Sequence, residues 1–297
     1  MELRQLKTFC TVARLSSFNR AAETLNYAQS TVSAQIKLLE EEFGVPLFDR
    51  LGRNVKLTEA GQMLMRYSRR MLDLEAETRA NVAGWEEPHG AIAIRIPQSI
   101  GTHYLPEALS RFRKRYPRVG FDVSTCAYDV LQQELRTGIT DVAFLLTESI
   151  HSAELKSELL GVVDLVLVAS AGHALAGNAA VNINDLAGEP LILPKHDCSY
   201  KMGFEQVLTE AKVVPATMIE LNSVESIKQC VLKGVGIAML PRIVVEKEIR
   251  AGQLAVLPCA EMDLEAGILM IWHRNKWISP TLGAFMDTMR EVVRGSV

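Results

Sequence analysis

What is scarce in this chain narrows its chemistry first. Only five cysteines occur, and Cys10, Cys126, Cys198, Cys230 and Cys259 stand too far apart for metal-ligand spacing. No apolar run reaches the ~18 residues of a membrane span. The richest stretch, Gly161 to Ala176, is broken by Asp164 and His173. Met1-Glu2-Leu3-Arg4 lacks the basic and then apolar pattern of a secretion signal, which argues against a secreted binding protein and makes a reducing cytoplasm the expected compartment. The six histidines are dispersed without i,i+4 pairing. No nucleophile elbow, phosphate loop or zinc helix appears, and Gly234-x-Gly236 precedes a strand, the wrong context for a dinucleotide loop. An enzyme, a metal site and a cofactor are all unexpected.

What is present is ordinary in bulk and uneven in distribution. Hydrophobic residues make up 48% and charged residues 23%, enough to bury a sizeable core, and 297 residues call for two or three folded units. Residues 1–70 carry eleven basic against seven acidic side chains, a balance of +4, leaving −7 for the rest of a chain whose net charge is −3. A basic head on an acidic body fits a molecule that meets phosphates with one end.

The first 58 residues read as three short helices and a hairpin. Leu3, Leu6, Phe9, Val12 and Ala13 share one helical face. Ser17 caps a second helix with Phe18, Ala21, Ala22 and Leu25 inside, and Asn26-Tyr27 makes a turn. A third helix spans Gln29 to Phe43 until Gly44 and Pro46 stop it. Two short strands joined by Leu51-Gly52-Arg53-Asn54 form a wing, and Thr58 caps a long helix. That helix carries Leu64, Tyr67, Met71 and Leu74 at heptad steps. Such a stripe packs on its own domain or on a second copy; the second is favoured, because a small head offers little surface to cover it. Residues 59–90 are therefore the linker and dimerisation segment, ending at Glu86-Glu87-Pro88-His89-Gly90.

From Ala91 onward strands alternate with helices, which calls for an α/β domain with a mainly parallel sheet. Its length suits two small lobes better than one.

The segment from Phe18 to Lys37 has helix-turn-helix form. Gln29, Ser30, Thr31 and Ser33 sit at the polar N-terminal end of the third helix, where side chains reach base edges in a major groove. A glutamine pairs bidentately with adenine, and serine or threonine reads donors or acceptors. Singly, each such residue serves as well as a cap or a solvated face; the ensemble with a basic wing carries the inference.

Leu6-x-x-Phe9-x-x-Val12-Ala13, Ser17-Phe18-x-x-Ala21-Ala22-x-x-Leu25, Gln29-Ser30-x-x-Ser33-x-x-Ile36-x-x-Leu39-Glu40, Gly44-x-x-Leu47-Phe48-x-Arg50 and Leu57-Thr58-x-Ala60-Gly61 together resemble the signature of LysR-type transcription regulators. The family commonly has Ser or Thr before Gln29, where this chain has Ala28, so the recognition helix lacks a capping hydroxyl. The resemblance implies a DNA-binding regulator in which Gln29, Ser30, Thr31, Ser33 and Ala34 meet bases or adjacent backbone. Lys37 and the wing residues Arg50, Arg53 and Lys56 are the candidates for phosphate or minor-groove contact. Arg50 serves equally as an ion-pair partner for Glu40 or Asp49. A dimer, further paired into a tetramer on a roughly palindromic operator, is the implied assembly.

The resemblance also implies an effector domain over residues 91–297 similar to a periplasmic binding protein, with lobe I from 91–161 and 267–297 and lobe II from 162–266. Ligands in such sheets bind beyond the carboxyl ends of strands, where helix N-termini converge. That rule selects Gln98, Ser99 and Thr102, then Tyr128 and Thr147 in lobe I. In lobe II it selects Lys195, Phe204, Asn222 and Ser223. The expected effector is a small carboxylate. Ser99, Thr102 and Ser223 are equally plausible helix caps, Phe204 a core residue and Lys195 a surface amine. Peroxide-sensing members of the family pair a loop cysteine with a second one shortly downstream. No partner for Cys198 occurs before Cys230, and Cys198-Ser199-Tyr200-Lys201 resembles a non-redox variant of that loop.

Overall fold

The computed structural model describes residues 1–51, 54–83, 90–125, 128–147, 150, 152–195, 199–262 and 264–295. Three helices open the chain: α1 (Leu3–Leu15), α2 (Phe18–Leu25) and α3 (Gln29–Phe43). Leu6, Phe9, Val12, Ala21, Val32, Ile36 and Leu39 recur at helical spacing and close into one core with Leu47, Phe48, Leu64 and Met65. Leu3, which shares their periodicity, stays exposed at the helix start. Ser17 accepts the Arg20 N–H at 3.3 Å and so fixes where α2 begins. Asn26 and Gly44 take left-handed conformations and end α2 and α3. A buried Thr8–Gln35 hydrogen bond of 2.6 Å ties α1 to α3.

The wing pairs β1 (Phe48–Leu51) with β2 (Asn54–Leu57) antiparallel. Glu40 holds it to α3 by accepting the Leu47 and Phe48 N–H groups at 2.9 and 3.4 Å. Thr58 Oγ1 then accepts the Gly61 N–H at 3.0 Å and starts α4 (Glu59–Ala83). Gly61 is required there, since a Cβ would lie 2.1 Å from the Leu47 carbonyl oxygen.

The larger domain begins with β3 (Gly90–Arg95), α5 (Gln98–Arg115), β4 (Val119–Ser124), α6 (Tyr128–Thr137), β5 (Val142–Leu146) and the sixteen-residue β6 (Leu155–Ser170). Then come β7 (Pro190–Pro194), α7 (Ser199–Glu210), β8 (Thr217–Leu221), α8 (Val224–Leu232), β9 (Ala238–Pro241), α9 (Arg242–Arg250) and β10 (Leu254–Val256). The last elements are β11 (Leu264–His273) and α10 (Pro280–Arg294). The main sheet runs β10-β6-β11-β5-β3-β4 with β9 also on β6, and β7 pairs β8 apart from it.

The sheet is less parallel than alternation predicts. β3 pairs β4 and β5 in parallel, as β7 does β8, but β6 and β11 run antiparallel to each other and to their neighbours. The reason is topological: the chain leaves the first α/β unit along β6 and returns along β11. The two strands pair Val162 with Gly267, and their register shifts between Ile268 and Leu269. Gly267 is confined there, because a Cβ would meet the Thr147 carbonyl oxygen at 3.0 Å and Leu159 at 2.9 Å.

Candidate DNA-reading head and effector cleft

The recognition surface follows from which face of α3 is consumed by the core. Val32, Ile36 and Leu39 point inward, leaving Gln29, Ser30, Thr31, Ala34 and Lys37 exposed and Ser33 half-buried. Ala28 precedes α3 in extended conformation and supplies no side-chain cap, so its carbonyl alone organises the first turn. One contact orders the polar end: Gln29 Nε2 donates to Ser33 Oγ at 2.9 Å. The glutamine is thereby held along the exposed face of the helix. Lys37 pairs with Glu41 at 3.4 Å, both exposed. Lys56 is exposed on the wing opposite Asp49. The Arg50 side chain and all of Arg53 lie outside the described residues, while Glu40, one of the partners considered for Arg50, is engaged with the wing backbone.

The stripe on α4 lacks one of its four expected members. Leu64 is 8% exposed and belongs to the head core, whereas Tyr67, Met71 and Leu74 are 52, 39 and 61% exposed. Met63, on the outward side, joins them. Periodicity fixes the width of an apolar stripe but not which edge of it the neighbouring helix covers; here α1 covers Leu64 and Met65.

In the larger domain the selected residues come from both sides of the β6–β11 crossing. Gln98, Ser99 and Thr102 form the first turns of α5, while Asn222 and Ser223 precede α8. Gln98 reaches across: its Oε1 accepts the Val224 N–H at 2.8 Å and its Nε2 approaches Ser223 Oγ at 3.5 Å. Ser223 is also the cap of α8, accepting the Ser226 N–H at 3.3 Å. Ser99 is 2% exposed and its Oγ is buried without a hydrogen-bond partner. Thr147 is half-buried and its N–H donates to the Gly267 carbonyl at 3.0 Å. Lys195 is exposed, its backbone N–H tied to Leu221, and Thr102 and Asn222 are exposed too. Phe204 is corrected: it is fully buried in the core, because its face of α7 carries Tyr200 and Leu208 inward with it. The Tyr128 side chain and Cys198 lie outside the described residues. His103, beside Thr102, has its pKa lowered by burial and by the Lys247 cation of α9.

A charged group that sequence reasoning missed lies where α4 meets the larger domain. Asp141, buried just before β5, accepts from Arg69 Nη2 at 2.6 Å and Lys276 Nζ at 2.9 Å through Oδ1, and from the Ala93 N–H at 2.8 Å through Oδ2. Lys276 also lies 3.4 Å from Asp73. Burial alone would raise the Asp141 pKa, but the Lys276 and Arg69 cations and the Ala93 N–H outweigh it and hold the carboxyl below its usual range. Burial likewise pushes the neighbouring Cys10 thiol up to about 11, leaving it protonated at neutral pH. Among the described residues no cluster of His, Cys, Asp or Glu could hold a metal, and no helix is long and apolar enough to cross a membrane.

Comparison with known proteins bears on both surfaces. Residues 3–62 match the family profile of bacterial regulatory helix-turn-helix proteins, lysR family, and residues 86–294 that of the LysR substrate binding domain. The chain is 35% identical over 99% of its length to the uncharacterized HTH-type transcriptional regulator YwqM of Bacillus subtilis, all of which is covered. It is 30% identical to the HTH-type transcriptional activator CmpR of Synechocystis, covering 96% of this chain and 93% of that one. Its fold resembles a full-length OxyR variant from Pseudomonas aeruginosa, with a TM-score of 0.77 over 99% of this chain and 95% of the other, at 22% identity.

Proposed function

The chain belongs to the LysR family of DNA-binding transcription regulators, and from that premise we propose that a small metabolite bearing a carboxylate, bound between Gln98, Ser99 and Thr102 of α5 and Ser223 of α8, sets its hold on DNA. One observation carries the reading: the Ser99 hydroxyl is buried with no partner at the end of α5 that faces α8. An unmet buried hydroxyl costs about 1–3 kcal/mol and is relieved by a ligand that bonds it. The start of α8 lies against the start of α5, where Gln98 meets the Val224 N–H, and helix starts favour an anion.

The division of labour is that Gln29, Ser30, Thr31 and Ser33 read bases while Lys37, Lys56 and the wing arginines hold backbone. The Tyr67, Met71 and Leu74 stripe supports a dimer and, by symmetry, a roughly palindromic operator; pairs of dimers would give the tetramer. The site of action is the cytoplasm, where the operator is.

A panel of small mono- and dicarboxylates, screened by thermal shift on the whole protein, tests the effector reading. A ligand at a hundred times its Kd stabilises by about 2.7 kcal/mol. Ser99→Ala with Thr102→Val should abolish that shift and leave DNA mobility-shift affinity intact. A double variant with an unchanged shift removes these residues from the site. A panel with no stabilising carboxylate, but a positive neutral or cationic metabolite, overturns the anion.

A further inference from the structure

The junction between α4 and lobe I has an arrangement of charge that a permanent interface does not require. Arg69 and Asp73 are four residues apart on α4, so they face each other along one side of that helix. Asp141 and Lys276 belong to the larger domain and contact each other at 2.9 Å. In contact, the four groups interlock: Arg69 bonds Asp141 at 2.6 Å and Lys276 lies 3.4 Å from Asp73. Each side therefore carries one cation and one anion of its own. Parting the two surfaces strands no charge, because Arg69 falls back on Asp73, while Asp141 keeps Lys276 and the Ala93 N–H. A buried pair whose partners come one from each side would be costly to separate, since an unpaired buried charge is left behind. This one is not.

The rest of the seam is of the same kind. Gln133 Nε2 donates to Gln62 Oε1 at 3.3 Å, and Ile139 is the partly buried larger-domain side chain that packs on the head core. Arg69 Nε is buried at the seam without a hydrogen-bond partner, so docking leaves a donor unmet that water would satisfy on release. The Arg69 stem lies against Gly138, where a Cβ would come within 2.9 Å of its Cγ. The surface thus fits closely, is polar, and is self-neutral on both sides.

We infer that Arg69, Asp73, Asp141 and Lys276 form a separable latch between the DNA-reading unit and lobe I, giving each subunit a docked and a released state. Ala93, which anchors Asp141, lies on β3, and the far end of β3 leads into Gln98 and Ser99. On the effector reading above, the cleft and the latch are thereby joined through one strand, Ala93 lying two residues before its end. The latch itself does not depend on that reading.

Hydrogen exchange of the full-length protein, read by mass spectrometry, tests it. Arg69→Met removes the α4 cation and leaves Asp141 its own partners. Amides of residues 130–141 and the facing turns of α4 should exchange several-fold faster, with α3, β6 and α10 unchanged. Arg69→Lys should restore most of the protection. Asp73→Asn takes away the partner on which Arg69 falls back after release, so the same amides should exchange more slowly, and this decides the matter if Arg69→Met fails to fold. Unchanged exchange over 130–141 in the folded variants overturns the latch. So does acceleration spread evenly over the whole chain, which would make the contact an integral part of the core.

Discussion

Gln98 Oε1 of α5 accepts the Val224 N–H of α8 at 2.8 Å, so a side chain from one α/β unit occupies an amide donor at the helix start of the other. On the anion reading proposed above, the glutamine amide oxygen takes the donor that a carboxylate oxygen would claim. Gln98→Glu should keep this bond and add a charge favourable to the helix end, worth about 0.3–1 kcal/mol at an exposed site. The variant should melt higher without ligand and respond more weakly to added carboxylates in thermal shift. A stronger carboxylate response would mean that Gln98 does not compete for the site.

Base preference should depend on Gln29 more than overall affinity does. Gln29→Ala should cost about 1–3 kcal/mol on the preferred sequence and little on random DNA. Ser33→Ala, which frees the Gln29 amide, should blur the same base position to a smaller degree. Competition binding with randomised sites reads both. A constant ratio of specific to non-specific affinity would place the recognition contacts elsewhere.

The outward stripe predicts an assembly phenotype. Met71→Asp with Leu74→Asp puts two carboxylates among side chains that are now exposed and apolar, so the isolated subunit should fold with little penalty. Sedimentation should show smaller species, and DNA retention should fall, because one head grips only half a palindrome. Leu64→Asp should behave differently and unfold the head, since Leu64 packs in its core. An unchanged oligomer from the double variant moves the interface off α4.

Ala28 offers a test of stability in the opposite direction. No side chain caps α3, and Ala28→Ser supplies the missing acceptor at a position already in extended backbone. The head should gain about 0.5–2 kcal/mol, read as a higher denaturation midpoint. A loss would show that the first turn of α3 has a different geometry.

The head was legible in the sequence because local signals agree there. Ser17, Asn26, Gly44 and Thr58 mark element ends that the backbone obeys. In the larger domain local and tertiary preferences conflict. Gly101, Thr102, His103 and Pro106 argue against a helix, yet α5 begins at Gln98 because Ile100 and Tyr104 are needed in the core. Ile243-Val244-Val245 is β-branched and follows a proline, so α9 gives no helical signal, although Val245 is buried from a helix. The half of β6 before Gly161 has little apolar alternation, since it crosses between units with one side exposed. Among the site residues, Gln98 and Ser223 could be brought together by the rule for helix starts. Arg69, Asp141 and Lys276 could not, because single charges far apart in sequence carry no pattern.

The same carboxylate gives a prediction about acid. Burial pushes the Asp141 pKa up, but Lys276 and Arg69 pull it down further, so its folded value lies below the unfolded one. A group with a depressed folded pKa contributes stability in full above its unfolded value, near pH 4, and loses it as pH falls through the folded value. This contribution should therefore be flat from neutral pH down to about pH 5 and vanish only in stronger acid. Asp141→Asn should melt well below the parent protein at neutral pH, with the gap closing as pH drops under about 4. Thermal melts of both proteins across that range provide the comparison. A gap that instead narrows between pH 8 and 6 would point to a histidine, and one that stays constant into acid would mean that Asp141 acts through packing and not through its charge.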